Sequence, residues 1–321
     1  MTRDVVALGE LLIDFTDSGE SAQGNPVMEA NPGGAPCNVL SMLTKLGHST
    51  AFIGKVGKDM FGTQLEEALL EVGIGTEGLI KDDKVHTTLA FVHTYPDGDR
   101  DFSFYRNPGA DMMLSKDDID PELIKSSKIF HMGSLSMTDE VCREATRYAV
   151  DIAKEAGCII SFDPNLREPL WESLDAAREQ IAYGLSKCDI LKISDNEITW
   201  YTGEADYDKG VEKLFAENPE IKLILVSMGR DGSRAYQKGG TCEAKPFIQE
   251  NTIETTGAGD TFCAGILHFV LENGMRDYTE EEMKRMLTFA NAGASIITTR
   301  KGALRVMPSK EEVMELASTR L

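Results

Sequence analysis

Short apolar runs at Val5–Gly9, Lys128–Met132, Cys158–Phe162, Asp189–Ile193 and Leu223–Val226 alternate with amphipathic stretches along the chain. Each run is too short for a helix, and most are rich in Val, Ile or Leu, the mark of strands buried on both faces. Between them, Val141, Ala145, Tyr148, Ile152 and Ala156 recur every three or four positions and predict one stripe of a helix. Leu65, Leu69 and Val72 do the same. Alternation of this kind predicts an α/β fold, a mostly parallel central sheet flanked by helices on both faces. The 321 residues are ample for such a core.

One region breaks the rhythm. The β-prone runs Thr88–Tyr95 and Asp101–Tyr105 flank Pro96-Asp97-Gly98, a strong turn signal, and predict a β-hairpin. Residues Phe15 to Ala30 are also polar and turn-rich. The stretches at about 15–30 and 87–106 therefore read as a small β-element inserted into one domain spanning 1–321. Standing off the main sheet, it would form a lid over a site; a hairpin that merely decorates an edge is the alternative.

Composition removes several function classes. Thirty-three basic and fifty-three acidic residues leave a net charge of −20, which opposes nucleic acid and anionic membranes. No apolar run is long enough for a leader or a span, and the six cysteines show no metal-binding spacing. The expected compartment is the cytoplasm, with the thiols reduced and buried. Gly73-Ile-Gly75-Thr-Glu-Gly78 fits the dinucleotide pattern, but its glycines follow a helical pattern and read as a helix cap and turn.

The informative segment is Glu254-Thr-Thr-Gly-Ala-Gly-Asp260. Gly257, Ala258 and Gly259 precede a helical pattern, and a glycine-rich turn opening a helix presents unpaired N–H groups to an anion. A carboxylate at that mouth repels a bound phosphate. It makes sense as a base for a hydroxyl attacking that phosphate, or else simply as an N-cap. The N-terminal counterpart, Asn31-Pro-Gly33-Gly34-Ala-Pro-Cys-Asn38, again leads into a helix. With Asp14 upstream at an expected strand end, it suits recognition of several hydroxyls. Asp163-Pro-Asn165-Leu-Arg167 and Phe104-Tyr-Arg106 supply two local positive charges to an acidic protein.

In this order the segments resemble the ribokinase-like (PfkB) carbohydrate kinases, and among them the bacterial and plant fructokinases. The likeness runs from Gly-Gly-Ala-Pro-Cys-Asn at 33–38, through Phe52-Ile-Gly-Lys-Val-Gly-Lys-Asp59 and the 104–111 and 163–171 segments, to Thr-Thr-Gly-Ala-Gly-Asp at 255–260 and Asn291 to Gly302. The resemblance implies a ribokinase-like fold and transfer of the γ-phosphoryl of ATP to a sugar, with D-fructose the expected acceptor, Mg2+ the metal and Asp260 the base. It implies that N–H groups of Gly257, Ala258 and Gly259 steady the moving phosphoryl. Asp14, Gly33, Gly34, Asn38, Phe104, Arg106, Asn165 and Arg167 would line the sugar side. Lys192, Ser194, Ser227, Gly229, Gly259 and Asn291 would face ATP, and Glu197 would orient Mg2+ through water.

Glu254 and Thr256 would border a monovalent-cation site for K+, although the family usually carries Asp where this chain has Glu254. Ser194 stands where ribokinases proper carry Asn. A homodimer formed through the lid is a further expectation. The alternatives are a 2-keto-3-deoxygluconate kinase, whose substrate carboxylate two arginines would suit, and a sugar-binding regulator without catalysis.

Overall fold

The computed structural model describes residues 2–94 and 100–320, so the Pro96-Asp97-Gly98 turn lies outside the described residues. The strands are β1 (Arg3–Leu8), β2 (Leu12–Glu20), β3 (Pro26–Gly33), β4 (Thr50–Gly57), β5 (Gly75–Asp82), β6 (Leu89–Thr94), β7 (Arg100–Tyr105), β8 (Ser127–Gly133), β9 (Ile159–Asp163), β10 (Ile190–Ser194), β11 (Leu223–Ser227), β12 (Ser233–Gln237) and β13 (Gly240–Ala244). The helices are α1 (Ala35–Lys45), α2 (Met60–Glu71), α3 (Pro121–Lys125), α4 (Glu140–Glu155), α5 (Leu174–Lys187), α6 (Asp195–Thr202), α7 (Tyr207–Glu217), α8 (Ala258–Asn273), α9 (Glu280–Ile297) and α10 (Lys310–Ser318).

All five apolar runs become strands of one sheet, ordered β13-β12-β11-β10-β9-β8-β1-β4-β5. It is parallel from β11 to β5, and only the β12 and β13 edge is antiparallel. Alternate residues of β1 feed two cores. Val5 and Ala7 pack with residues of α1, α2, α8, α9 and α10, whereas Val6 and Leu8 pack with residues of α3, α4 and α5. Helices therefore cover both faces, as the alternation predicts. Strand order reverses between β1 and β8, and a crevice opens there outside the strands' carboxyl ends.

The helix over 141–156 forms as α4, but a different stripe is buried. Cys142, Ala145, Thr146, Ala149, Ile152 and Ala153 face the sheet, while Val141 and Tyr148 are exposed. Small side chains let the helix lie close to the sheet, so size chose the face that apolarity alone misjudged. The Gly73–Gly78 segment caps α2 and enters β5, as a turn should.

The two irregular regions join into one four-stranded sheet, β3-β2-β6-β7, in which β2 pairs parallel with β6. Phe15 turns away from the cleft, stacks on Phe91 and meets Phe61 of α2 edge-on. Leu12, Asp14 and Thr16, on the other face of β2, look into the cleft. Lys301 ties this sheet to the C-terminal loop through Glu29 at 2.7 Å. Among the described residues no helix is long and apolar enough to cross a membrane.

Candidate active site

The carboxyl ends of β1, β9 and β10, the first turns of α1 and α8, and the small sheet enclose a cleft of about 580 Å³. Gly257 caps α8 in the left-handed region (φ 75°) without a side-chain acceptor, which makes Asp260 the third residue of the helix rather than its N-cap. The Ala258 N–H is used in a turn to the Thr255 carbonyl at 3.2 Å. That corrects its expected place in the anion trap. Among the described residues the N–H groups of Gly257 and Gly259 find no acceptor, so the helix opening presents these two to the cleft.

Lys192 lies directly beneath Gly259. It alternates with Leu191 and Ile193 along β10, so it leaves the sheet on the α8 side. A Cβ on Gly259 would stand 3.2 Å from its Nζ. The ammonium is buried against Asp163 at 3.0 Å. Burial works against its charge, but Asp163 and Glu197 outweigh that and hold it above the ordinary lysine value.

Asp260 faces Asn38 from across the cleft, and Asn38 Nδ2 donates to its Oδ2 at 2.8 Å. Burial raises the Asp260 carboxyl above its usual range, opposed by that hydrogen bond, by Lys192 and by Arg167. The other amide atom, Asn38 Oδ1, is buried and lacks a partner among the described residues. Gly34 caps α1 at φ 129°, where a Cβ would lie 2.4 Å from the Glu10 carbonyl. Only glycine turns the chain there and brings Asn38 to Asp260.

Asp14 is not at the end of β1, which closes at Leu8; it is the third residue of β2, at the base of the small sheet. Burial pushes its carboxyl up to about 7; Arg167 opposes the shift, and Glu254 and Asp260 add to it. Gly33, Phe104 and Asn165 also line the cleft, Asn165 with φ 45°.

The two expected positive charges differ. Arg167 is exposed at the rim and spends one hydrogen bond on its neighbour Leu166. Arg106 is buried and committed: Nε to Asp111 at 2.7 Å, Nη1 to Thr138 at 2.9 Å and Nη2 to the Leu135 carbonyl at 3.1 Å. It is anchored to the main domain rather than carried as a free charge on a hairpin.

The residues expected around ATP spread further. Ser194 and Glu197 form the capping box of α6, and Glu197 also accepts the Leu166 N–H at 2.7 Å. Three accepted bonds leave little of this carboxylate for direct metal ligation but room for a contact through water. Ser227 ends β11, and Gly229 follows it in a turn at φ 51°. Asn291 is buried in α9, its Nδ2 donating to the Ala244 and Lys245 carbonyls and its Oδ1 accepting from the Ser233 hydroxyl. None of these five reaches the cleft walls, whereas Glu254 and Thr256 do, the former accepting the Gly302 N–H at 2.6 Å.

Two participants escaped the sequence reading. Glu10 is buried at the carboxyl end of β1 and accepts the Ala35 N–H at 2.8 Å, holding the start of α1. Burial pushes its carboxyl up to about 7. Asp163, quoted only as part of a segment, pairs with Lys192. For both, the available signal was position just beyond or at the end of a buried strand.

An anion-presenting helix start, a carboxylate held at its mouth, and a polar wall opposite make an arrangement suited to phosphoryl transfer. Residues 2–310 match the family model described as pfkB family carbohydrate kinase, and the chain belongs to that family. It is a carbohydrate kinase. Fructokinase-1 of Zea mays is 42% identical over 315 residues, 97% of each chain. A Xylella fastidiosa fructokinase solved with bound ATP is similar at TM-score 0.90, with 30% identity over 100% of this chain and 99% of that one. A Vibrio cholerae fructokinase double mutant, solved in a fructose, ADP and potassium ion bound form, gives TM-score 0.85 and 26% identity over 98% of this chain and 99% of that one.

Proposed function

We propose that this carbohydrate kinase transfers the γ-phosphoryl of ATP to the primary 6-hydroxyl of D-fructose. The observation that carries the reading is the Asp260 carboxylate, steered by Asn38 and standing beside the N–H groups of Gly257 and Gly259, which have no acceptor among the described residues. A sugar hydroxyl resting against Asp260 can lose its proton as it attacks, and the helix start stabilises charge on the phosphoryl group that it meets. Lys192, kept as an ammonium beneath Gly259, adds a positive charge on the same side. Asp14 and the unpartnered Asn38 Oδ1 accept from sugar hydroxyls, and Asn165 and Gly33 shape the wall. The small sheet closes over the sugar and excludes water, so that ATP is not spent on hydrolysis.

Mg2+ fits this chain through Glu197, whose carboxylate has capacity for a bridging water only. When bound, the ion neutralises phosphate oxygens as they approach a strongly acidic cleft. Ser194, Ser227, Gly229 and Asn291 shape the nucleotide side through their backbone turns and packing. Glu254 and Thr256 border a potassium site next to the helix start. A second copy docks against the small sheet, whose two edge strands expose Val27 and Met28 on β3 and Tyr105 on β7. Six free buried cysteines suit a reducing cytoplasm.

The deciding experiment measures ADP formation across a panel of sugars, with the product identified by isomerisation to glucose 6-phosphate and its oxidation. Fructose-dependent ADP formation giving fructose 6-phosphate is expected. Fructose binding without ADP formation would make the chain a sugar-binding regulator.

A further inference from the structure

Helix α8 carries Asp260 in its first turn, and about 12 Å further along its axis it carries His268. His268 Nδ1 and His48 Nε2 lie 2.7 Å apart and share a hydrogen bond, although 220 residues separate them in sequence. His48 lies in the turn that follows α1, and both rings are nearly buried, the His48 side chain at 9% and His268 at 8% exposure. Glu272 is one turn beyond His268 on α8, and a ligand atom from each of the three falls within 4.8 Å of the others.

We infer that His48, His268 and Glu272 form a binding site for one borderline divalent cation of the zinc class, separate from the catalytic cleft and independent of the sugar assigned to it. Two imidazole nitrogens and one carboxylate suit zinc, cobalt or nickel and are a poor set for magnesium or calcium, which take oxygen donors. The ion would take the place of the proton now shared by the rings, that proton moving to the far nitrogen of the ring that carries it. Water would complete the shell on the exposed Glu272 side.

A second observation supports the site. His48 turns its other nitrogen, Nδ1, toward Asp4 Oδ2 at 3.9 Å. That carboxylate is itself fixed by the Ser49 N–H and hydroxyl, both at 2.9 Å, and by Lys128 at 2.8 Å. At 3.9 Å the pair is a charge contact rather than a hydrogen bond, and a small turn of the ring would give the carboxylate–histidine support usual behind such a metal. Burial keeps both rings neutral and able to ligate, with His268 pushed down to about 4 by burial, His48 and Lys310. Lys310 and Lys128 oppose a cation here; Asp4 and Glu272 favour one.

Tetrahedral bonds of about 2.0 Å put ligand atoms roughly 3.3 Å apart. The rings must therefore part by about 0.6 Å from the 2.7 Å found here. Glu272 is exposed and free to swing inward. The ion would clip the turn after α1 to the helix that positions Asp260, and so act as a structural staple.

The test titrates the full metal-stripped chain with Zn2+ by calorimetry and with Co2+ by visible absorption, with excess Mg2+ present throughout. One equivalent should bind, with a tetrahedral Co2+ spectrum free of thiolate charge transfer and a rise in melting temperature. His48→Ala and His268→Ala should each weaken binding at least a hundredfold. Glu272→Gln and Asp4→Asn, which disturb no buried ring, should weaken it about ten- to a hundredfold while leaving Mg2+-supported kinase activity unchanged. Absence of Zn2+ binding, a thiolate band, or affinity unchanged in Glu272→Gln and Asp4→Asn would each overturn the site.

Discussion

Replacing Asp260 by Asn separates a base from a residue that only holds the fold. Asn38 Nδ2 now donates to Asp260 Oδ2 at 2.8 Å, and an asparagine at 260 still offers a carbonyl oxygen there. What is lost structurally is the difference between a charge-assisted and a neutral hydrogen bond, about 1 kcal/mol. What is gained is relief from keeping a carboxylate in a buried place that raises its pKa. The melting temperature of the ligand-free variant should therefore match or exceed that of the parent. Catalysis should behave differently, because a positioned base is worth about 10²–10⁴ in rate, or roughly 2.7–5.5 kcal/mol. A steady-state assay with fructose and ATP should show kcat down by at least about a hundredfold, with ATP affinity by calorimetry within about threefold.

The pH profile gives a second check on the same carboxylate. The base must be ionised, so kcat/KM rises with pH through the raised pKa of Asp260. The Asn38 bond opposes that rise in pKa. Asn38→Ala should thus move the acidic limb to higher pH. A kcat for Asp260→Asn within about threefold of the parent, or a limb that stays fixed in Asn38→Ala, would refute the assignment.

Further predictions follow from the walls of the cleft. Gly34→Ala puts a Cβ at φ 129° and 2.4 Å from the Glu10 carbonyl, and should cost at least about 2 kcal/mol in urea unfolding at constant m. Arg106→Ala strips the partner from buried Asp111 and should cost about 3–5 kcal/mol, so the melting temperature falls before either KM is read. Asp14→Asn should raise the KM for sugar and also stabilise the ligand-free protein at pH 8. Its carboxyl is raised to about 7 in the fold from 3.8. The stability it contributes is full below 3.8 and lost as pH rises through about 7. The advantage of the variant should therefore shrink when melts are repeated near pH 4.

Periodicity made most of this fold legible, because five buried runs in parallel order leave few topologies. The α4 stripe went astray because Cys142, Ala145 and Ala149 are buried for their smallness, a property that an apolar pattern does not register. The glycine turns at 33–34 and 257–259 were legible as ligand-facing, since their backbone freedom is written in the residue type. Glu10 and Asp163 were not, because a lone acid after a strand reads as surface until topology buries it. Nor was the pairing of His48 with His268, which only the packing of α8 beside the turn after α1 creates.

Arg106 bears most directly on which sugar is phosphorylated. Two arginines in the sequence left open a substrate carboxylate, as in 2-keto-3-deoxygluconate. In the fold Arg106 borders the cleft but spends one N–H of each nitrogen on Asp111, Thr138 and the Leu135 carbonyl, and its charge is paired with Asp111, so only two N–H groups remain for an anionic ligand. Arg167 remains, but it already faces the carboxylates of Asp14 and Asp260. An anionic sugar would meet Asp14, Glu254 and Asp260, while the other cations of the cleft are already paired, Lys192 with Asp163, Lys301 with Glu29 and Arg106 with Asp111. A charge-assisted hydrogen bond left unmade costs about 1.5–3 kcal/mol, so fructose should exceed the sugar acid in kcat/KM by at least about tenfold. Arg167→Gln should weaken both substrates and leave that order intact, since the repelling carboxylates stay in place. If the sugar acid gave the higher kcat/KM with the parent enzyme, the fructose assignment would fall and the carboxylates would have to be protonated in the working complex.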